Sequence, residues 1–360
     1  MKIAIVVGTR PELIKMAPLI KEMKKRDNKH LFIHSGQHYD YYMDGMVLDI
    51  FELAKPDYNL QVGSGSHSMM TANMMMQLEK IILKENVDKI VVHGDTNTTL
   101  AGGLTAAKMN IPVAHVEAGL RSKDKSMPEE INRIIVDHLS SYLLSPTADA
   151  INNLKKENIS SGIHLVGQTI VDSIDWLNHI NHYDVLTKFN LKHKGYFFIT
   201  VHRQENTNDL MKLQSIIRAI KQMTLLENYQ VVLSLHPRTK KIIQENNMLQ
   251  QLSIDKLLIL DPPPNFYETI QLQKHAKVVV TDSGGLQEES CIVNTPCVTL
   301  RENTERPETV KCGANIIAGY QVENIMKAIN DSLLKSTNWK SPYGEPGVGS
   351  NIMDIITERK

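Results

Sequence analysis

A chain of 360 residues is long for one hydrophobic core and predicts two domains of about 150 to 180 residues each. Forty basic against forty acidic side chains leave no net field to draw the protein to nucleic acid or to an anionic membrane surface, so any anion must be met by local groups. Cys291, Cys297 and Cys312 form no CxxC spacing, which argues against a disulfide framework or thiolate zinc site and fits a reducing, cytoplasmic setting.

The opening MKIAIVVGTR is too short an apolar run for a secretion signal, and no stretch approaches the roughly 18 apolar residues of a membrane span, so no membrane partner is expected. Short β-branched runs recur along the chain, each followed by a polar or glycine turn and an amphipathic segment. In the first half they are KIAIVVG, LFIHSG, KIVVHGD, PVAHVEAG, YLLSP and GIHLVGQ. In the second half they are YFFITVHR, VVLSLHP, KLLILDP, KVVVTDSGG, PCVTL and NIIAG. Strands alternating with helix-length segments predict an α/β protein with two parallel, doubly wound sheets. Residues 174–195 carry the weakest patterning and no strand, which sets the boundary near residue 170. The expected domains are 1–170 and 171–360, with a last helix at about 348–360 crossing back to the first domain.

Ligands of doubly wound sheets bind beyond the carboxyl ends of the strands, so the polar residues there carry the functional reading. The first strand ends in GTRPELIK, where Gly8 permits a tight turn and Pro11 is preset for a helix start. The free N–H groups of that helix, with Arg10 and Lys15, suit an anion, although helix capping accounts for the pattern equally well. A single glycine there is not the dinucleotide GxGxxG signature.

Asp95 and Glu117 stand where KIVVH and IPVAH stop, and Glu129 and Arg133 in PEEINR share one helix face. Each alone reads as a cap or an ion pair. Converging on one crevice, the carboxylates would raise a pKa, so that one acid stays protonated while its neighbour acts as base. His93-x-Asp95 and His115-x-Glu117 also offer metal donors, but strand histidines are more often packed or hydrogen-bonded, and no metal is expected.

In the second half His202, Arg203, His236 and Arg238 end two strands, Ser283, Gly284 and Gly285 end a third, and Arg301 and Arg306 follow. Basic and hydroxyl groups around a Gly-Gly helix start predict a phosphate site, with Glu289 one turn inside for a ribose diol. A purely structural role for Glu288 and Glu289 would be to favour the helix dipole. Phe266 in DPPPNFYE stands to flank a base or to pack. The methionine-rich SMMTANMMMQLEKIIL reads as a packing helix.

Seven motifs in order, GTRPELIKMAPLI, GDTNTTLAG, HVEAGLRS, MPEEINR, VHRQEN, DSGGLQEE and NTERPE, resemble the non-hydrolysing UDP-N-acetylglucosamine 2-epimerases over nearly the whole chain. The resemblance implies two Rossmann-like domains facing across a cleft, of the glycosyltransferase-B type, and a homodimer. It implies a reaction that inverts C2 of UDP-GlcNAc to give UDP-ManNAc, by elimination of UDP to 2-acetamidoglucal and re-addition from the other face, with no cofactor. By motif, Asp95, Glu117 and Glu129 would be the acid/base carboxylates, and His202 would assist departure of UDP. Arg10, Lys15, Arg203, His236, Ser283, Gly284, Gly285, Glu289 and Arg306 would contact the UDP-sugar, with Arg133 and Phe266 counted beside them.

Many bacterial members hold a second UDP-GlcNAc as activator through glutamines and an arginine that GQHYDYYMDGMVLDIF and QVGSGSHSM lack, so activation by substrate is expected to be reduced or absent. VGSGSH, GGLQEESC and NTERPETV also resemble the branch that epimerises UDP-2,3-diacetamido-2,3-dideoxy-glucuronic acid. Because a fold does not dictate a reaction, the same strand-end residues are also compatible with a UDP-sugar glycosyltransferase, a metal-dependent hydrolase or a non-catalytic nucleotide-sugar sensor.

Overall fold

Parallel strands covered on both faces require continuous apolar runs, and the runs IAIVV, KIVVH and YFFIT are buried at every residue. The computed structural model describes residues 1–26, 29–36, 41–180 and 183–358. The chain splits into two compact units, one of Met1–His179 with Tyr343–Lys360 and one of Ile180–Pro342.

The first unit alternates strands and helices: β1 (Ile3–Val7), α1 (Arg10–Lys25), β2 (His30–His34), α2 (Tyr41–Ile50), β3 (Tyr58–Asn59), α3 (His67–Glu85) and β4 (Lys89–His93). It continues with α4 (Asn97–Lys108), β5 (Val113–Val116), α5 (Pro128–Leu139), β6 (Tyr142–Ser145), α6 (Ala148–Lys156), β7 (Ile163–Leu165) and α7 (Ile170–His179). The second unit opens with α8 (Val185–Phe189), β8 (Tyr196–Thr200), α9 (Gln204–Thr207), α10 (Leu210–Thr224), β9 (Gln230–Ser234), α11 (Pro237–Glu245), β10 (Leu257–Leu260) and α12 (Phe266–His275). It closes with β11 (Val278–Thr281), α13 (Gly284–Ile292), β12 (Cys297–Thr299), α14 (Pro307–Lys311), β13 (Asn315–Ile317) and α15 (Val322–Leu334), before α16 (Val348–Thr357) returns to the first unit.

Both sheets are parallel, with orders β3-β2-β1-β4-β5-β6-β7 and β10-β9-β8-β11-β12-β13. Strand order reverses between β1 and β4 in the first and between β8 and β11 in the second, and at such a reversal the loops diverge to leave a crevice beyond the strand ends. Twelve of the strands coincide with the β-branched runs read from sequence; β3, with only two residues, is the edge strand that no run announces. In α3, Met70 and Met74 join the core, whereas Met69 and Met76 are 62% and 56% exposed. No helix among the described residues is long and apolar enough to cross a membrane.

The boundary is not near residue 170. Helix α7 belongs to the first unit because it buries Ile170, Val171, Ile174 and Leu177, and because the Ser173 hydroxyl donates to the Ile14 carbonyl at 2.7 Å. The same helix holds the end of the chain. Asp172 accepts the N–H groups of Gly347 and Gly349, each at 2.7 Å, and of Val348 at 3.1 Å, so one carboxylate caps the first turn of α16. Arg26 at the end of α1 reaches Asp354 at 2.5 Å and Ser350 Oγ at 2.6 Å on the same helix. Replacing the cap in Asp172→Ala is expected to cost about 1–2 kcal/mol in urea unfolding, and limited proteolysis should release the C-terminal segment before the rest is digested.

Candidate active site

At the reversal of the first sheet, β1 ends in Gly8 and Thr9, and β4 ends in Gly94 and Asp95. Gly8 is required by close approach: a Cβ there would lie 2.0 Å from Thr98 Oγ1 and 2.3 Å from Ser35 Oγ, two hydroxyls that bond each other across the turn at 2.8 Å. Beside them, β5 ends in Glu117, which adopts a left-handed backbone (φ 69°) and is only 3% exposed.

A buried carboxylate must be paired, and several elements converge to do it. Lys15 from α1 forms an ion pair with Glu117 Oε1, and Gln168 Nε2, from the loop after β7, donates to the same oxygen at 2.6 Å. Arg133 Nη2 from α5 lies 2.5 Å from Asp95 Oδ2 and 3.9 Å from Glu117 Oε2, so one guanidinium stands between the two carboxylates. His93 Nε2 is 3.7 Å from Glu117 Oε1; burial holds this imidazole down at about 4, and the pull of Glu117 in the other direction does not overcome it. His93 is therefore neutral at physiological pH.

The structure thus brings Asp95, Glu117, Lys15 and Arg133 together, while Glu129 remains solvent-exposed on the first turn of α5 and Arg10 is exposed at the start of α1. The shared helix face of Glu129 and Arg133 does not decide the pairing, because Arg133 turns to Asp95. As metal donors the His-x-acid pairs fit poorly. His115 directs Nδ1 to Asp137 Oδ1 at 2.7 Å and Nε2 to the Gly94 carbonyl at 2.8 Å, so neither nitrogen is turned to Glu117.

A strongly raised pKa falls on a carboxyl that the sequence did not single out, Glu12. Glu12 Oε2 accepts the Gly8 N–H at 3.0 Å and the Thr9 hydroxyl at 2.9 Å, and Oε1 accepts the Thr96 hydroxyl at 2.8 Å. Burial pushes Glu12 up to about 7 against these hydrogen bonds, with Asp95 adding repulsion. Glu12 thus ties the loop after β1 to the loop that carries Asp95. Its sequence signal was an acid in the first turn of a helix beside a strand end, but that pattern also describes a simple cap.

In the second unit the reversal lies between the ends of β8 and β11. Asp282, fully buried, accepts the His202 N–H at 3.0 Å, the Arg203 N–H at 3.0 Å and Asn206 Nδ2 at 3.1 Å, and so fixes the loop that bears the two candidate cations. The His202 and His236 rings lie 5.4 Å apart; burial, followed by Asp282 pulling upward and Arg203 and Arg238 pushing downward, leaves His202 below its ordinary pKa. Helix α13 begins at Ser283 with no side-chain cap, leaving its first N–H groups for another acceptor.

The protein's own packing does not demand glycine at that helix start. A Cβ on Gly284 would sit 3.7 Å from Arg203 Nη2, and one on Gly285 3.8 Å from Glu289 Oε1, both ordinary contacts. Glu289 Oε2 accepts Gln273 Nε2 at 2.6 Å, whereas the neighbouring Glu288 is buried and ion-paired with Arg306. Arg301, buried among Glu205 at 2.6 Å and Glu305 at 3.4 Å, completes the basic cluster, and Phe266 is half-buried at the start of α12. Residues 37–40, within the stretch that departs from the activator-binding pattern, lie outside the described residues.

The raised Glu12 carboxyl carries a pH signature. Because its folded pKa of about 7 exceeds the ordinary 4.5, the folded state keeps a proton that the unfolded chain releases, so its contribution to stability is full below about pH 4.5 and is lost as pH rises to about 7. Urea unfolding across that window should show the wild type losing stability with a slope steeper than Glu12→Gln by up to about one proton; parallel curves would contradict the buried, protonated state.

A sequence model of the family described as UDP-N-acetylglucosamine 2-epimerase matches residues 21–357. The UDP-N-acetylglucosamine 2-epimerase of Methanocaldococcus jannaschii is 44% identical with full coverage of both chains. Its crystal structure in complex with UDP-GlcNAc and UDP superposes with a TM-score of 0.88 over 99% of each chain at 45% identity. The UDP-2,3-diacetamido-2,3-dideoxy-D-glucuronate 2-epimerase of Pseudomonas aeruginosa is 38% identical over 99% of this chain and the whole of that one. A glycosyltransferase from Streptomyces nogalater, at 12% identity and a TM-score of 0.59, shares the fold alone, which is of the glycosyltransferase-B type. On the family match and the full-length identity together, this chain belongs to the UDP-N-acetylglucosamine 2-epimerase family.

Proposed function

We propose that the protein is an isomerase that interconverts UDP-GlcNAc and UDP-ManNAc. The observation that carries this reading is the paired design of its two strand-end sites. The first unit gathers Asp95 and Glu117 around Arg133, Lys15 and a neutral His93, and the second offers an uncapped helix start beside Arg203 and two histidines. The full-length likeness to named UDP-GlcNAc 2-epimerases supports it.

In the forward direction a carboxylate of the first unit removes the C2 proton, the electron pair of that C–H bond becomes the C1=C2 double bond, and the C1–O bond breaks to release UDP. A C–H next to an acetamido group is weakly acidic, so stabilising the departing diphosphate with N–H donors and cations lowers the barrier. His202, whose pKa burial lowers, gains affinity for a proton when a diphosphate comes close, and can then neutralise the leaving group. Reprotonation of the glucal on the other face of C2, with UDP returning to C1, gives the epimer. Asp95, Glu117 and Glu129 are assigned to the proton transfers. Arg10, Lys15, Arg133, Arg203, His236, Phe266, Ser283, Gly284, Gly285, Glu289 and Arg306 are assigned to substrate.

The working form proposed is a homodimer. Exposed Met69 and Met76 on α3 and Ile131 and Ile135 on α5 give the first unit an apolar surface, and a double charge substitution, Met76→Glu with Ile135→Glu, should move a dimer to monomer in sedimentation.

The chemistry is tested by incubation with UDP-GlcNAc in D2O. The wild type should form UDP-ManNAc with deuterium at C2, and Glu117→Gln or Asp95→Asn should slow exchange by about 10²–10⁴-fold while still binding UDP. Exchange confined to UDP-2,3-diacetamido-glucuronic acid would move the protein to the activity of its Pseudomonas relative, and UDP binding with no exchange in either sugar would leave only a sensor.

A further inference from the structure

We propose that Asp137 and His115 form a buried positioning pair that holds the Asp95 loop and the Glu117 loop in fixed relation, an assignment that deepens the epimerase reading and rests on it. The backbone ladder between β4 and β5 stops at the Gly94 N–H, which donates to the Val116 carbonyl at 3.0 Å. Beyond that point both chains turn. Gly94, Glu117 and Gly119 all take left-handed conformations, at φ 70°, 69° and 85°, and Glu117 does so with a full side chain. A residue in that region persists only where its surroundings over-determine it.

The side chains of His115 and Asp137 supply that determination. His115 Nε2 lies 2.8 Å from the carbonyl of Gly94, the residue before Asp95, and its Nδ1 lies 2.7 Å from Asp137 Oδ1. The other oxygen, Asp137 Oδ2, accepts the N–H of Gly119 at 3.1 Å and pairs with Arg121 Nη1 at 2.7 Å. The path from one acid-bearing loop to the other therefore runs through two side chains that are themselves buried. Arg121 is secured in turn by a two-pronged pair with Glu157, both contacts at 2.7 Å. Burial pushes the Asp137 carboxyl up, but His115 and Arg121 more than offset it and hold it below the usual carboxylate range. Neither side chain is assigned a contact with the sugar, so both act through Asp95 and Glu117.

The test uses the full-length enzyme with UDP-GlcNAc in D2O. Asp137→Asn keeps the shape and removes the charge; kcat for C2 exchange should fall about 10- to 100-fold, the range typical of residues that orient a reacting group, with KM within about two-fold. UDP affinity should stay close to wild type, and the variant, though lower in thermal midpoint, should remain folded at the assay temperature. His115→Gln should fall similarly, and the double variant should fall little further than either single, because both changes break one bridge. The pairing is overturned if the two losses multiply, if Asp137→Asn keeps wild-type kcat, or if its loss is matched by a loss of folded protein. A wild type that binds UDP-GlcNAc yet exchanges no hydrogen defeats the epimerase reading instead, so the two failures are distinct.

Discussion

The first unit is organised around one constraint, a carboxylate buried at the end of β5 on a residue whose backbone is left-handed. An ion taken from water costs several kcal/mol unless partners replace its hydration. Glu117 draws Lys15 from α1, Gln168 from the loop after β7 and, at longer range, Arg133 from α5. Three elements far apart in sequence are therefore fixed at one strand end. The charge proposed for the chemistry is also one that specifies the local fold.

The second unit meets the opposite problem, gathering cations without their self-repulsion opening the loops. It does so with counter-charges, two of them buried: Asp282 beneath the loop of His202 and Arg203 and Glu288 on Arg306, with the more exposed Glu205 and Glu305 around Arg301. An arginine held by a carboxylate has lost its rotamer freedom before any ligand arrives. A diphosphate bound as proposed would meet preset donors and lose less entropy in ordering them.

Most strands were legible from sequence because a strand covered on both faces must be apolar throughout, whereas β3 is too short to carry a pattern. Strand-end acids and cations were legible because doubly wound sheets place ligands there. The supporting layer was not. Gln168 reaches Glu117 across 51 residues of sequence, and Asp282 reaches His202 across 80, and no local period encodes such a contact. The spacing of Glu129 and Arg133 misled in the same way, since a helix face allows an ion pair but long-range geometry gave Arg133 to Asp95. A raised pKa is found on Glu12, an acid outside the converging set read from sequence, and there burial rather than like charge is the main cause.

Helix α5 shows how deeply site and fold are joined. An amphipathic helix ordinarily turns its apolar stripe inward, yet α5 buries Glu130, Asn132, Arg133 and Asp137 and leaves Ile131 and Ile135 46% and 36% exposed. Each inward polar residue has a partner in or beside the loop after β4 or β5, although Arg133 Nη1 is left without a hydrogen bond among the described residues. Glu130 accepts the N–H groups of Ser122 and Lys123, Asn132 donates to the Asp95 carbonyl, Arg133 pairs with Asp95, and Asp137 receives His115, Gly119 and Arg121. Val136 alone from this face enters the apolar core beside α4. The helix thus packs on α4 and, through its polar face, holds the two loops that carry Asp95 and Glu117. Local periodicity fails here because the inward face of α5 is chosen by the polar groups of the two strand-end loops rather than by an apolar stripe, the kind of departure from binary patterning expected beside a functional site.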